Sequence, residues 1–220
     1  MTTERRWSIP PSTIRWLAST PRDAPVAVLV RHSVRGHLPP GAAGNLVPLT
    51  DEGIRLAEDL GRQLGTSLRS LHTSPILRCV QTAEAIRAGA AATLGITADW
   101  LLGDPGVYVR VPKVAGQLWA ERGHKWVIDH LVSSNKVLPG MASPGRAARR
   151  LAQHMLAATD QVPGLHFFVT HDSLVTVTVA RLINVPLSEG EWPAYLEGAF
   201  FWRTEGALQI AYREGLRRVG

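Results

Sequence analysis

The apolar run Pro25-Val26-Ala27-Val28-Leu29-Val30 passes without a spacer into Arg31-His32-Ser33-Val34-Arg35, and this junction constrains the fold more than any other stretch. Residues 26–30 are apolar, largely β-branched and bounded by a proline, which predicts a short buried strand. Two guanidinium groups and an imidazole then emerge together at its C-terminal end. In open α/β sheets that edge is where ligands bind. Clustered arginines there suit a dianion, because the guanidinium fork matches phosphate oxygens bidentately, and an imidazole among them is a candidate nucleophile.

Two further segments carry a similar signature, and a third, weaker one adds to them. Residues 68–72 predict a second strand, Ser74-Pro75 a turn, and 77–88 a helix with Pro75 near its start. Arg78 then falls in the first helical turn, beside free backbone N–H groups and the positive end of the dipole, a ready anion site. Phe167-Phe168-Val169-Thr170 runs into His171-Asp172-Ser173 and a helix over 173–183. Leu49-Thr50-Asp51-Glu52-Gly53 opens a helix over 50–65, with Thr50 as N-cap and acids in the first turn.

In their order along the chain, from about Val26 to Leu182, the four segments resemble the histidine phosphatase superfamily, which includes phosphoglycerate mutase-like enzymes and histidine acid phosphatases. Arg31-His32 resembles its RHG motif, Thr50-Asp51-Glu52-Gly53 its LTxxG helix start, Ser74-Pro75 through Thr82-Ala83 its SPxxRxxQTA segment, and His171 its second histidine. The resemblance implies that His32 is the nucleophile that becomes a phosphohistidine, with Arg31, Arg78 and His171 binding the phosphoryl group. It departs at Ser33, where the family carries glycine; serine keeps the N–H and adds a hydroxyl, so Ser33 and Arg35 are expected to bind substrate. Arg35 resembles the second arginine of the acid phosphatase RHGxRxP pattern, whose proline is replaced here by His37.

Two aspartates compete to protonate the leaving alcohol, with substrate hydroxyl or water as the remaining source. Asp172 resembles the acid of the HD pair in the acid phosphatase branch, yet an aspartate there also caps a helix. Asp104, in Leu102-Gly103-Asp104-Pro105-Gly106, lies where the smaller branch carries its acid, yet it also suits a turn. The expected activity is a metal-independent phosphomonoesterase on a small phosphorylated metabolite, needing no cofactor. A mutase-like phosphotransferase and a non-catalytic phospholigand-binding protein are the alternatives. The histidines show no HExxH, HxH or Cys/His ligand spacing.

The remaining elements predicted are a strand at 96–102, an irregular helical region at 113–134, a helix at 144–159 and strands near 197–203 and 207–212 turned by Gly206. This alternation predicts a three-layer α/β/α sandwich around a mainly parallel sheet. One domain spans 1–220, with an N-terminal arm at 1–24 packed by Trp7, Ile14, Trp16 and Leu17, and a lid insertion at 103–140. In that lid Tyr108, Arg110, Lys113, Trp119, His124, Lys125, Trp126 and Lys136 are candidates to cover the phosphate pocket, as is the Gly/Pro-rich loop 36–48. Trp192, Tyr195 and Trp202 read as packing.

A single cysteine, Cys79, excludes an intrachain disulfide and is expected in the core. No apolar stretch suits a signal peptide or membrane helix, so a cytoplasmic location is expected. A net charge of +6 raises nucleic acid as a partner, but no basic run is interleaved with aromatics. A positive field that concentrates small anions is the expected use of the charge. Arg146, Arg149 and Arg150 read as a solvated helix face, and Arg213, Arg217 and Arg218 as a basic tail.

Overall fold

The computed structural model describes residues 7–38 and 44–219. Strand β1 (Pro25–Arg31) lies inside a seven-stranded sheet of order β3-β2-β4-β1-β5-β6-β7. It pairs in parallel with β4 (Gly164–Thr170), which pairs in parallel with β2 (Leu68–Thr73), itself parallel to β3 (Ile96–Ala98). On its other side β1 meets β5 (Gly198–Thr204) antiparallel, and β6 (Ala207–Tyr212) and β7 (Gly215–Val219) extend an antiparallel meander. The sheet is therefore mixed: parallel where the crossovers are helical, antiparallel where two-residue turns join β5 to β7.

The central strands are apolar on both faces because each face is covered. Ala27, Leu29, Phe168 and Phe201 pack under α6 (Pro144–Ala157) and α7 (Asp172–Ile183), while Val26, Val28, Val30, Phe167 and Phe200 pack under α2 (Asp51–Leu64) and α3 (Leu77–Gly89). Full burial of each such phenylalanine is worth about 1.5–3 kcal/mol. The helices begin where local chemistry satisfies their first N–H groups. Thr50 accepts from the Gly53 N–H at 3.0 Å ahead of Asp51 and Glu52, and Pro144 opens α6.

Four regions differ from the sequence expectations. The arm contains a helix, α1 (Pro11–Ser19), started by consecutive prolines; the rest of the arm at 1–6 lies outside the described residues, as does 39–43 of the loop 36–48. Strand β3 is only three residues long, because the Asp99 carboxylate accepts from Leu101 N–H at 2.9 Å and turns the chain into a short 3₁₀ segment. The region 103–140 holds two helices, α4 (Pro112–Arg122) and α5 (His124–Ser133), separated by Gly123 at φ 79°. The basic tail is strand β7, and Arg213 is structural: its guanidinium pairs with the buried Glu197 at 3.1 Å. No helix among the described residues is long and apolar enough to cross a membrane.

Glu197 ties the N-terminal helix to the sheet. Besides Arg213 it accepts from the Ser12 hydroxyl at 3.2 Å and from the Ala194 N–H at 2.9 Å. Replacing it with alanine leaves Arg213 without its charged acceptor and frees α1 and the 192–197 loop. Glu197→Ala is expected to lower the unfolding free energy by about 2–3 kcal/mol, measured by urea denaturation.

Candidate active site

The sheet register assembles the site. Arg31 sits opposite Thr170 and Thr73 opposite Val169, so β1, β4 and β2 end level with one another. The His32 N–H then donates to the Thr170 carbonyl at 2.8 Å, and the Ser74 N–H to the Val169 carbonyl at 2.9 Å. Two histidines far apart in sequence thus leave adjacent strands side by side, their ring centroids 5.6 Å apart.

Hydrogen bonds define the state of both rings. His32 Nδ1 lies 2.7 Å from the Ser33 carbonyl, which only accepts, so Nδ1 carries the proton. Its Nε2 accepts from Arg78 Nε at 3.1 Å. The other arm of the guanidinium, Nη2, donates to His171 Nδ1 at 3.2 Å, and His171 Nε2 donates to the Ser74 hydroxyl at 3.2 Å. Nη1 of Arg78 donates to the Gly44 carbonyl at 2.8 Å. Burial is the first cause that pushes both histidines down: His32 well below its ordinary value, helped by His171, Arg78 and Arg31, and His171 to about 3, helped by Arg78. Both rings are neutral at physiological pH.

Arg31 is held from three directions. It pairs with Asp172 Oδ2 at 2.9 Å, donates to the Pro193 carbonyl at 2.7 Å, and lies over the Tyr195 ring at 4.1 Å. Its Nε is buried without an acceptor among the described residues. Asp172, in the first turn of α7, has both oxygens engaged, Oδ2 by Arg31 and Oδ1 by the Ser173 N–H at 2.8 Å. Asp104 is placed differently. It is exposed, has no hydrogen bond or ion pair with a described residue, and lines a cleft with His171.

Ser33 corrects an expectation. It is fully buried, its hydroxyl donates to the Gly53 carbonyl at 2.6 Å, and its N–H donates to Thr82 Oγ1 at 3.0 Å. The start of α2 presses so closely on this segment that a Cβ on Gly53 would lie 2.0 Å from the Val34 carbonyl oxygen. Both polar groups of Ser33 therefore serve the interior. Arg35 is half-buried, donates to the Gly36 carbonyl at 2.9 Å, and lines a separate cleft with His37, Trp7 and Tyr195. Cys79 is in the core as expected, with burial pushing its thiol up to about 12.

Several contributors carry no chemical signature in sequence. Tyr195 does not merely pack; it forms one wall beside Arg31 and lies 5.8 Å from the His32 ring. Gly103 is required because a Cβ there would come within 2.9 Å of His171 Nε2. Gln81 accepts from the Leu49 N–H at 2.8 Å and so joins the second and fourth motifs. The cations of residues 103–140 are turned elsewhere: Lys125 to Asp129, Arg122 over the Trp126 ring, and Arg110 and Lys113 to solvent. Tyr108 is core, its hydroxyl 2.7 Å from Thr178 Oγ1. Among the described residues no group of three His, Cys, Asp or Glu side chains is arranged to hold a metal ion.

The buried neutral histidines make the fold acid-labile. An unfolded histidine binds a proton below about pH 6.5, whereas His171 folded does so only near 3. The unfolded state therefore binds more protons in that window, and stability falls as pH drops from 6.5 toward 3. In phosphate-free buffer the unfolding free energy is expected to be level above pH 7 and to decline below it. His171→Asn is expected to remove about 1.4 kcal/mol per pH unit from that slope between pH 4 and 6.

Comparison with known proteins identifies the fold and the family. No curated protein sequence matches the chain. Three solved structures share its fold at low identity. A phosphoserine phosphatase mutant from Entamoeba histolytica in complex with phosphoserine has a TM-score of 0.60 at 14% identity, over 87% of this chain and 96% of that one. A phosphoglycerate mutase from Bacillus anthracis str. Sterne gives 0.55 at 17%, over 86% and 93%. A mycobacterial glucosyl-3-phosphoglycerate phosphatase with VO3 gives 0.53 at 15%, over 86% and 99%. Residues 28–199, from β1 into β5, match the histidine phosphatase superfamily (branch 1), and to that family, with its phosphoglycerate mutase-like fold, the chain belongs.

Proposed function

We propose that the protein is a metal-independent phosphomonoesterase that works through a phosphohistidine on His32. The observation that carries this reading is the state of His32: Nδ1–H locked on the Ser33 carbonyl, Nε2 unprotonated and facing Arg78. Such a nitrogen is a nucleophile without any prior proton transfer. A phosphate dianion entering the site exchanges the Arg78–His32 hydrogen bond for bonds from the guanidinium to phosphate oxygens. Arg31 adds a second guanidinium, whose buried Nε lacks an acceptor. Fixed positive charge around the transferring phosphoryl group supplies most of what a protein contributes to this chemistry.

In the first step Nε2 bonds to phosphorus while the bond to the leaving oxygen breaks, and that oxygen takes a proton from an acid. Asp104 is the better donor. Asp172 has both oxygens accepting and serves to hold Arg31, whereas Asp104 is unpaired and shares a cleft with His171. In the second step water attacks phosphorus and gives its proton back to the Asp104 carboxylate while the Nε2–P bond breaks, so that inorganic phosphate leaves and His32 is regenerated neutral.

Phosphate release from a phosphomonoester panel in EDTA tests this reading. Wild type is expected to release phosphate and His32→Ala none; a strict phosphotransferase or a binding protein would release none in either form. Asp104→Asn is expected to slow alkyl phosphates by about 10²–10⁴-fold. It should slow p-nitrophenyl phosphate, whose leaving group needs no proton, by under about tenfold. Asp172→Asn should slow both alike, since it loosens Arg31; the reverse pattern would make Asp172 the acid.

A further inference from the structure

The cleft that opens beside His171 carries an unusual chemical bias for a site handling anions. Its walls are Val109, Trp119, Ile128, Leu131, Leu174 and Val177, drawn from α4, α5, α7 and the loop before α4. Its polar groups are Asp104, His124, His171 and Ser173. Among the described residues no lysine or arginine lines it. The nearby cations are committed elsewhere: Arg181 to the Leu131 and Ser134 carbonyls, and Lys125 to Asp129 and Glu189. His124 accepts from Trp119 Nε1 at 3.1 Å and packs edge-on to Trp192, with centroids 5.5 Å apart. Desolvation by these neighbours lowers its pKa from the ordinary value, so it adds no positive charge at neutral pH.

Since Asp104 and His171 both face this cleft, it is where the leaving alcohol lies if the reaction proposed above is correct, and the inference rests on that reading. A carboxylate or second phosphate on the alcohol would enter an apolar space containing a free aspartate and no cation. Burial of such a charge without a partner is strongly unfavourable. The volume is about 210 Å³, more than the roughly 150 Å³ of an apolar cavity that accepts benzene. We infer that the cleft beside His171 selects phosphomonoesters of uncharged, apolar alcohols of about the size of a benzyl or short-chain alkyl group. Trp119 and Leu174 set that preference.

The experiment compares alkyl phosphates, among which leaving-group acidity does not decide the outcome: 2-phenylethyl phosphate, ethyl phosphate, O-phosphoserine and 3-phosphoglycerate. p-Nitrophenyl phosphate reports the histidine chemistry independently. Wild type is expected to favour 2-phenylethyl phosphate over O-phosphoserine and 3-phosphoglycerate by at least about tenfold in kcat/KM. Trp119→Ala should lower kcat/KM for 2-phenylethyl phosphate about tenfold, mainly through KM, and change ethyl phosphate less than threefold. Leu174→Lys should narrow the gap to O-phosphoserine. Turnover of p-nitrophenyl phosphate with equal or better use of the anionic esters overturns the inference and leaves the phosphatase reading standing. So does an equal Trp119→Ala loss on both neutral esters. No turnover of p-nitrophenyl phosphate, or turnover that survives His32→Ala, overturns the phosphatase reading itself.

Discussion

One guanidinium sets the protonation of both histidines. Arg78 donates to His32 Nε2 and to His171 Nδ1, and a group with only donors forces both ring nitrogens to be acceptors. Desolvation acts in the same direction, because a second or third positive charge in this buried space has no counter-charge except Asp172, which is engaged with Arg31. The result is a cationic cradle around two neutral imidazoles. Protonating either histidine would break a hydrogen bond and add like charge to the cradle. The remainder of the site is built to hold that one arginine in place.

That support comes from several levels. α3 begins just after Ser74-Pro75, so Arg78 projects from its first turn toward the edge where β1, β2 and β4 end. Thr82, one turn later, takes the Ser33 N–H, and Gln81 takes the Leu49 N–H. These bonds fasten the segment after His32 to α3 on one side and to the start of α2 on the other. Close backbone approach at Gly53 and at Gly103 lets α2 and the loop before α4 come within van der Waals range of the two histidine segments. A side chain at either glycine would push apart the groups that Arg78 bridges.

Much of this was legible in the chain itself. Strands ending in Arg31-His32, Ser74 and His171 announce their own alternation, and Thr50 and Pro75 mark the helices that follow the first two. The four motif segments were visible because each is contiguous, three at strand ends and one at the start of α2. What stayed hidden depends on contacts between distant segments. Nothing in Trp192-Pro193-Ala194-Tyr195 indicates that this loop returns to Arg31; it does so because β5 pairs beside β1, and Arg31 N–H donates to the Glu197 carbonyl at 3.1 Å. Arg213 looked like tail charge because its partner, Glu197, is buried by a helix at the other end of the chain. Ser33 looked like a ligand because its burial under α2 is a consequence of packing at Gly53, which spacing does not disclose.

Net charge is the property most easily misread here. The +6 excess suggests a broad field for anions, but most of the arginines that the fold positions are bound to its own acceptors. Arg69 reaches the Pro163 and Thr66 carbonyls, Arg181 the end of α5, and Arg213 Glu197 with the Glu191 carbonyl. Among the described residues the cations within reach of His32 are Arg31 and Arg78, whose combined charge a phosphoryl dianion would match on the reading proposed above. Beyond His171 the lining turns apolar and carries an unpaired aspartate. On the proposed reading, charge recognises one end of an ester and is absent, among the described residues, from the other, so the local distribution decides which anion fits. If the inferred selectivity holds, it follows from the missing cation as much as from the contacts made, because an ionised leaving group would lose hydration and gain no partner.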